Sequence, residues 1–378
     1  MPNTQQIGRV GLVYAAKQSA FGSPPTFAST DAIRALACKL NANPRNRVNA
    51  PDRHVHPSLL TKRTRRTTAT WSIGGILFPS GTLNTLPDNS DFLECGMGAV
   101  NNTTASTTVA SSPTTTSATL ASGTGMAVGR GIVINVTGVG RCVRMLTVVS
   151  GADVTWAPAL PSAPTAGDTV KTAVTYSLAT ALPNALQIGR YLTSISKEGA
   201  GCVVDQLKFM IDANDEIRWE ASGPMAERLT AAQTVPGAFT VVGNTPPSGL
   251  SATLRAGSGA YEFLKFDVTI ANAMEMDNFA AGTSKAQAYY RKGQRLVTST
   301  VNSRYSNDVT LMTAAEDTTD KVLLAQCGSV EGSIWALYAP AVEFEVPDDP
   351  DDDETMEHAF PGTCKGVTGN DEIALIQA

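Results

Sequence analysis

The stretch Gly201–Gly223, GCVVDQLKFMIDANDEIRWEASG, alternates with a period of two on both sides of a short polar interruption. Val203, Asp205, Leu207, Phe209 and Ile211 fall on one face of a strand, and Val204, Gln206, Lys208, Met210 and Asp212 on the other. After Ala213-Asn214-Asp215 the alternation resumes, with Ile217, Trp219 and Ala221 opposite Glu216, Arg218 and Glu220. This pattern predicts a β-hairpin with one dry face and one wet face. The dry face must meet a core. The wet face carries both signs of charge, and the question is what it is for.

The same period recurs along the chain and predicts a mainly β fold. In TTATWSIGGILF (67–78), Thr68, Thr70 and Ser72 oppose Ala69, Trp71 and Ile73. Further strands are expected at 32–41, 186–199, 261–275 and 291–304, and four more between 321 and 378. Two short helices interrupt them. DNSDFLECGMG (88–98) offers Asp88 or Ser90 as N-cap and Gly96 or Gly98 at its C-terminal end. YSNDVTLMTAAEDT (305–318) offers Asn307 or Asp308 as cap.

Residues 1–32, broken by SAFGSPPTFAST, read as an arm that needs a partner to order it. At residue 101 the composition shifts to a Thr/Ser-rich linker, and from about 117 to 178 short strands follow at close spacing. Residues 101–179 thus read as a small β-barrel or sandwich inserted into a core made of 33–100 and 180–378. Within that core, strand, loop, strand, helix, strands is the order of 33–98 with 186–225, and again of 260–378. An internal duplication is one parse of this order. The other is that any long β chain can be divided so.

Charge and motifs narrow the function. A net charge of −5 argues against a nucleic-acid-binding surface. The six cysteines form no C-x-x-C and match no zinc spacing, so reduced structural thiols are expected. The N-terminal MPNTQQIGRVGLVYAAK lacks the basic and apolar regions of a secretory signal, which points to synthesis in a reducing cytoplasm. No apolar run approaches the roughly 20 residues that span a bilayer, so no membrane insertion is expected.

His54-Val55-His56 has only Asp52 as a close carboxylate and reads as a solvated loop. PDDPDDDETMEH (347–358) lacks the glycine of a calcium loop and reads as an exposed acidic hairpin tip. TKRTRRTT (61–68) is its basic counterpart. Arg63, Arg65 and Arg66 on one copy and Asp351, Asp352 and Asp353 on another are candidates for head-to-tail contacts. The glycines of GTGMAVGRG (123–131) precede a strand, so a phosphate loop is not expected. Glu216 and Glu220 have the residue type of a glycosidase pair, but any wet strand face contains such residues. No cofactor, metal or catalytic constellation is implied, and no enzyme is expected.

Three stretches together resemble the tail tube proteins of long-tailed, non-contractile bacteriophages. They are TTATWSIGGILFPSGTL…DFLECGMG (67–98), a strand, a glycine turn and a short helix; YLTSISKEGAGCVVDQLKFMIDANDEIRWEASG (191–223), a strand, a Lys197-Glu198-Gly199 turn and the long hairpin; and HAFPGTCKGVTGNDEIALIQA (358–378). The likeness covers about two thirds of the chain, and the 101–179 insertion departs from it.

The resemblance implies a virion protein with two β-sheets packed on a short helix. Its copies would form rings, three chains if the duplication is real and six otherwise, stacked head to tail into a hollow tube for DNA ejection. Gln206, Lys208, Glu216, Arg218 and Glu220 would then line the lumen, with Lys208 and Arg218 needing local neutralisation. The arm, the 43–66 loop and the 347–357 tip would meet neighbouring rings. Partners would be the chain itself, a tape measure protein, a tail terminator and DNA in transit. The alternatives are a capsid decoration or tail-tip host-binding protein, whose 117–178 domain touches the host, and a carbohydrate-active β-sandwich.

Overall fold

The structure, a computed structural model, describes residues 12–42, 47–49, 62–64, 69–192, 195–231, 235–236, 244–277, 286–304, 309–347 and 357–378. Eight strands define its working surface. They are β1 (Ala37–Ala42), β2 (Ala69–Ile76), β3 (Gln206–Asp212), β4 (Arg218–Ala231), β5 (Lys265–Ala271), β6 (Leu296–Arg304), β7 (Trp335–Phe344) and β8 (Glu357–Lys365). They pair side by side in the order β1-β2-β4-β3-β5-β6-β8-β7, and every pairing is antiparallel. The first four strands and the last four therefore follow the same spatial order, one-two-four-three. The two sets join where β3 pairs with β5 over seven residues, Gln206 with Ala271 through Asp212 with Lys265.

The period-two expectation holds where it was clearest. Leu207, Phe209, Ile211, Ile217, Trp219 and Ala221 are all buried, as are Ala69, Trp71 and Ile73. Phe266, Val268 and Ile270 of β5 and Val297 and Val301 of β6 extend the same apolar face into one core. Two eight-residue helices serve that core, each placed after the second strand of its set: α1 (Ser90–Met97) and α2 (Val309–Glu316). Phe92 of α1 packs between Trp71 and Trp219, with ring centroids 5.8 and 5.3 Å away. Leu311 and Ala315 of α2 join the same cluster.

The cap of α1 is a correction. Asn89 is its N-cap. Asp88 instead pairs with Arg34 at 2.8 Å, and Ser90 accepts from the Tyr176 hydroxyl at 2.8 Å. Gly98 closes the helix at φ 117°, its N–H donating to the Glu94 carbonyl. A side chain there would face strain and also meet the Ala179 Cβ at 2.8 Å. The expected cap of α2, Asn307 or Asp308, lies outside the described residues.

Other expectations need revision. Leu12–Lys17, within the segment expected to be an arm, is a strand paired with Leu186–Tyr191. Its Tyr14 is fully buried against Phe27 and Tyr191. Lys197-Glu198-Gly199, expected as a turn, lies inside the strand Ser196–Cys202, which pairs with the C-terminal part of β4. Gly74 and Gly75, also expected as a turn, lie within β2. A Cβ at Gly75 would come within 2.9 Å of the Arg34 carbonyl, so the position needs glycine for close backbone approach. The segment 261–275 divides among Gly259–Tyr261, β5 and Met274–Asp277, and 291–304 between Ala288–Arg291 and β6.

Strands between Ser106 and Thr172 close into a six-stranded barrel with its own core, including Leu120, Ile134, Trp156 and Val170. The chain enters it from Gly98–Asn101 and leaves into Val174–Leu178, and these two strands pair with each other. The Thr/Ser stretch expected to be a linker supplies two of the barrel strands, Ser106–Ser111 and Ser117–Leu120. Threonine is β-branched and fits a pleated wall, so its abundance there signals strand as readily as linker. Val133, Val143 and Met145 on the barrel's outside pack against Leu324, Ala336 and Ile376. Glu331 receives both Lys171 at 2.8 Å and Arg141 at 3.6 Å across the same junction. The barrel is thus seated on the main body by apolar and polar contacts together.

Candidate functional site

The face of the eight strands turned away from the core is the candidate site. Cross-strand neighbours share a face, so the registers give its rows directly. One row crosses all eight strands: Ala37, Gly74, Glu220, Lys208, Thr269, Thr298, Thr363 and Glu343. The row beside it carries Ile76, Arg218, Met210, Asp267, Thr300 and Pro361. On the other side lie Lys39, Ser72, Ser222, Gln206, Ala271 and Leu296. Part of the surface is hollowed: Lys39, Ser72, Gly74, Gln206, Lys208, Glu220 and Thr269 line a depression of about 460 Å³.

Among the described side chains of this face, cations and anions are equal in number. Its described side chains include five cations, Lys39, Lys208, Arg218, Lys265 and Lys365, and five anions, Asp212, Glu220, Asp267, Glu343 and Glu357. Asp267 holds Lys208 at 3.1 Å and Lys265 at 3.0 Å. Lys365 pairs with Glu343, a contact that raises the pKa of its ammonium, and Arg218 pairs with Asp215. Lys208 thus shares one carboxylate with Lys265, and Arg218 has Asp215 as its partner. Between the charges the face carries threonine, serine and alanine, together with Gln206 and the apolar Ile76, Met210, Leu296 and Pro361.

Four of the five residues expected on a wet face, Gln206, Lys208, Arg218 and Glu220, share this surface. Glu216 precedes β4, in an isolated bridge with Ser248, and its amide donates to Asp215 Oδ1 at 2.9 Å. It is not on the strand that carries Glu220. Sequence reasoning missed Asp267, Lys265, Glu343 and Lys365. The signal existed, since Lys265, Asp267 and Thr269 alternate with Phe266, Val268 and Ile270 just as the first hairpin does.

Charged segments attach at opposite ends of the sheet. β1 leaves it at Ala42 and β2 enters at Ala69, at the end shared by Gln206, Ala271 and Leu296. Beyond them Arg47–Asn49 pairs with Lys62–Thr64, which includes Arg63. Ala37 pairs with Gly74 and Arg47 with Thr64, so both strands advance ten residues and the hairpin keeps one register. In the second set Met274–Asp277 pairs with Ala288–Arg291 beyond β5 and β6, with a register shift, since Ala271 pairs with Leu296 and Met274 with Arg291. β7 leaves the sheet and β8 enters it at the other end, where Glu357 pairs with Arg304 and Asp212 with Lys265. Arg65, Arg66, Asp351, Asp352, Asp353, His54 and His56 lie outside the described residues. His358 is buried, edge-on to Phe360.

Among the described residues no group of three or more His, Cys, Asp or Glu could hold a metal ion. No described helix is long and apolar enough to cross a membrane. All six cysteines are free and buried. Burial pushes Cys38 up to about 11 and Cys327 and Cys364 up to about 12, and raises the other three as well. The thiolate is the reactive form, so a thiol reagent at neutral pH should leave the native chain unlabelled and modify six groups after unfolding. Rapid labelling of the native chain would contradict this burial.

A family model described as phage tail tube protein matches residues 8–364. No curated protein matches the chain.

Proposed function

The chain belongs to the phage tail tube protein family and is a structural protein of a phage tail; from that premise we propose that its copies close into rings whose charge-balanced face lines a water-filled lumen for DNA. The observation that carries the reading is the eight-stranded surface itself. It is continuous and antiparallel, and its described side chains carry cations and anions in equal number. A conduit for a polyanion gains from such a wall. Free cations would grip phosphate without regard to sequence, and free anions would repel it.

The repeated one-two-four-three strand order, with an eight-residue helix after each second strand, supports an internal duplication. One chain then supplies two ring segments, and three chains make a pseudo-sixfold ring. The ring encloses DNA during ejection, and its partners are further copies, a tape measure protein and a tail terminator. The 106–172 barrel, seated on the opposite side of the core, is displayed outward.

Rings stack head to tail. The basic hairpin arm and the acidic β7–β8 connection leave opposite ends of the sheet, which supports a heterologous contact between successive rings. Electron microscopy of the concentrated protein tests this. Hollow tubes are expected from the native chain. Arg63→Glu, Arg65→Glu and Arg66→Glu together should abolish stacking, and adding Asp351→Lys, Asp352→Lys and Asp353→Lys should restore it. Small discrete particles under every condition, or tubes indifferent to both charge reversals, would contradict the stacking contact.

A further inference from the structure

The seam between the six-stranded barrel and the main body is rich in arginine and short of acid. On the body side, Gln326 of the strand Lys321–Cys327 accepts from the Val143 amide at 2.8 Å and donates to the Arg141 carbonyl at 2.9 Å. Leu324 of the same strand packs with Val143 and Met145. The adjoining body strand Ala252–Ala256 places Thr253 opposite Gln326 and Arg255 opposite Leu324. Cross-strand partners share a face, so Arg255 is presented to the seam. It stands beside the barrel strand Gly140–Ser150, which carries Cys142 and Arg144.

Glu331 is already shared by Lys171 and Arg141. Arg144 is 2% exposed and Arg255 partly exposed, and among the described residues neither has a carboxylate partner. Both lean on backbone instead. Arg144 donates to the Val143 carbonyl and, at 3.1 Å, to the Ala159 carbonyl, while Arg255 donates to the Ser258 carbonyl at 2.7 Å. The Nε of each is buried without a hydrogen-bond partner among the described residues. The two groups are near enough to act on each other. Burial pulls the Arg144 guanidinium down to about 10; the Cys142 thiol opposes this and the like charge of Arg255 adds to it. Burial lowers Arg255 as well, and it too is influenced by Cys142.

Carbonyl contacts satisfy single N–H groups but bring no net negative charge. Neighbouring buried cations without an anion are costly, and a counter-ion held by their free donors removes that cost. A guanidinium presents its donors as a planar fork that matches an oxyanion.

We propose that the seam binds an inorganic oxyanion of the phosphate class between Arg144 and Arg255, reached from the partly exposed Arg255 side, and that the bound ion fastens the barrel to the body. The site lies away from the wet face and does not depend on the ring reading.

Thermal unfolding of the full chain in increasing inorganic phosphate, at constant ionic strength, tests the site, with isothermal titration calorimetry as the direct measure of binding. The expected result is a midpoint that rises and then saturates, with a heat that fits one phosphate per chain. Arg255→Gln should weaken phosphate binding by about ten-fold or more. Arg141→Gln, which removes a cation that Glu331 already serves, should leave it unchanged. Arg255→Lys keeps the charge without the fork and should fall between native and glutamine. If the glutamine variant fails to fold, the lysine variant decides the point, and native affinity in it overturns the site.

No saturable heat with the native chain overturns the proposal. Equal binding by the native chain and Arg255→Gln marks an adventitious ion only and overturns it too. Equal losses in Arg255→Gln and Arg141→Gln would mean a general charge effect, with the same consequence. A short oligonucleotide is the second probe. Binding of it that Arg255→Gln removes, without binding of free phosphate, would assign the seam to a nucleic-acid backbone and overturn the inorganic ion.

Discussion

Replacing Trp219 with alanine lowers the free energy of unfolding by about 3–5 kcal/mol. Trp219 sits on β4, near the middle of the eight-strand order, and is fully buried. Its ring packs on Phe92 at 5.3 Å, and Phe92 packs in turn on Trp71. β4 pairs with both β2 and β3 at this residue, opposite Gly75 and Phe209. Truncation therefore opens a cavity between helix and sheet that rigid strands on both sides cannot close. Glycine at position 75 leaves no neighbouring side chain to move in. Glu220→Ala, one residue along and on the open face, changes stability by no more than about 0.5 kcal/mol. Urea denaturation of both variants checks the pair. Similar midpoints would mean that the two faces of β4 are not distinguished as described.

That contrast also explains what was legible in the sequence. A strand buried on one face writes its period into the chain, and Leu207, Phe209, Ile211, Trp219 and Ala221 were readable for that reason. A strand buried on both faces does not. Val13, Tyr14, Ala15 and Ala16 are all buried, as are Leu186, Gln187, Ile188 and Gly189. Neither run alternates, and so Leu12–Lys17 resembled an arm and the strand beside it lost its boundary. The wet face was legible one strand at a time. Its charge balance was not, because the partner of Lys208 lies across the β3–β5 junction, and a contact between distant segments has no local signature. The same holds for Lys365 and Glu343, which meet only once β7 and β8 pair.

Asp267 is the residue on which that balance turns, and its replacement by asparagine should convert a passive wall into one that holds DNA. The carboxylate compensates Lys208 and Lys265 together. Asparagine keeps the size and removes the charge, leaving two lysines on adjacent strands, β3 and β5, facing the same open surface. Stability should change little, because both lysine partners are partly exposed and such pairs contribute about 1 kcal/mol or less. DNA retention should change much more. Each phosphate newly neutralised steepens the fall of log affinity with log salt by about 0.9 for duplex DNA. In the proposed ring the added lysines would face one another across a single lumen, so their contacts would act on one duplex. The native assembly should show weak retention that barely responds to salt. The Asp267→Asn assembly should retain DNA at low salt and release it as salt rises, in a filter-binding series. Adding Lys265→Gln removes one of the two freed cations and restores the original net charge, and should return retention toward the native level. If Asp267→Asn leaves retention unchanged, this face does not meet DNA. The balanced charge would then serve folding of the β3–β5 junction rather than passage.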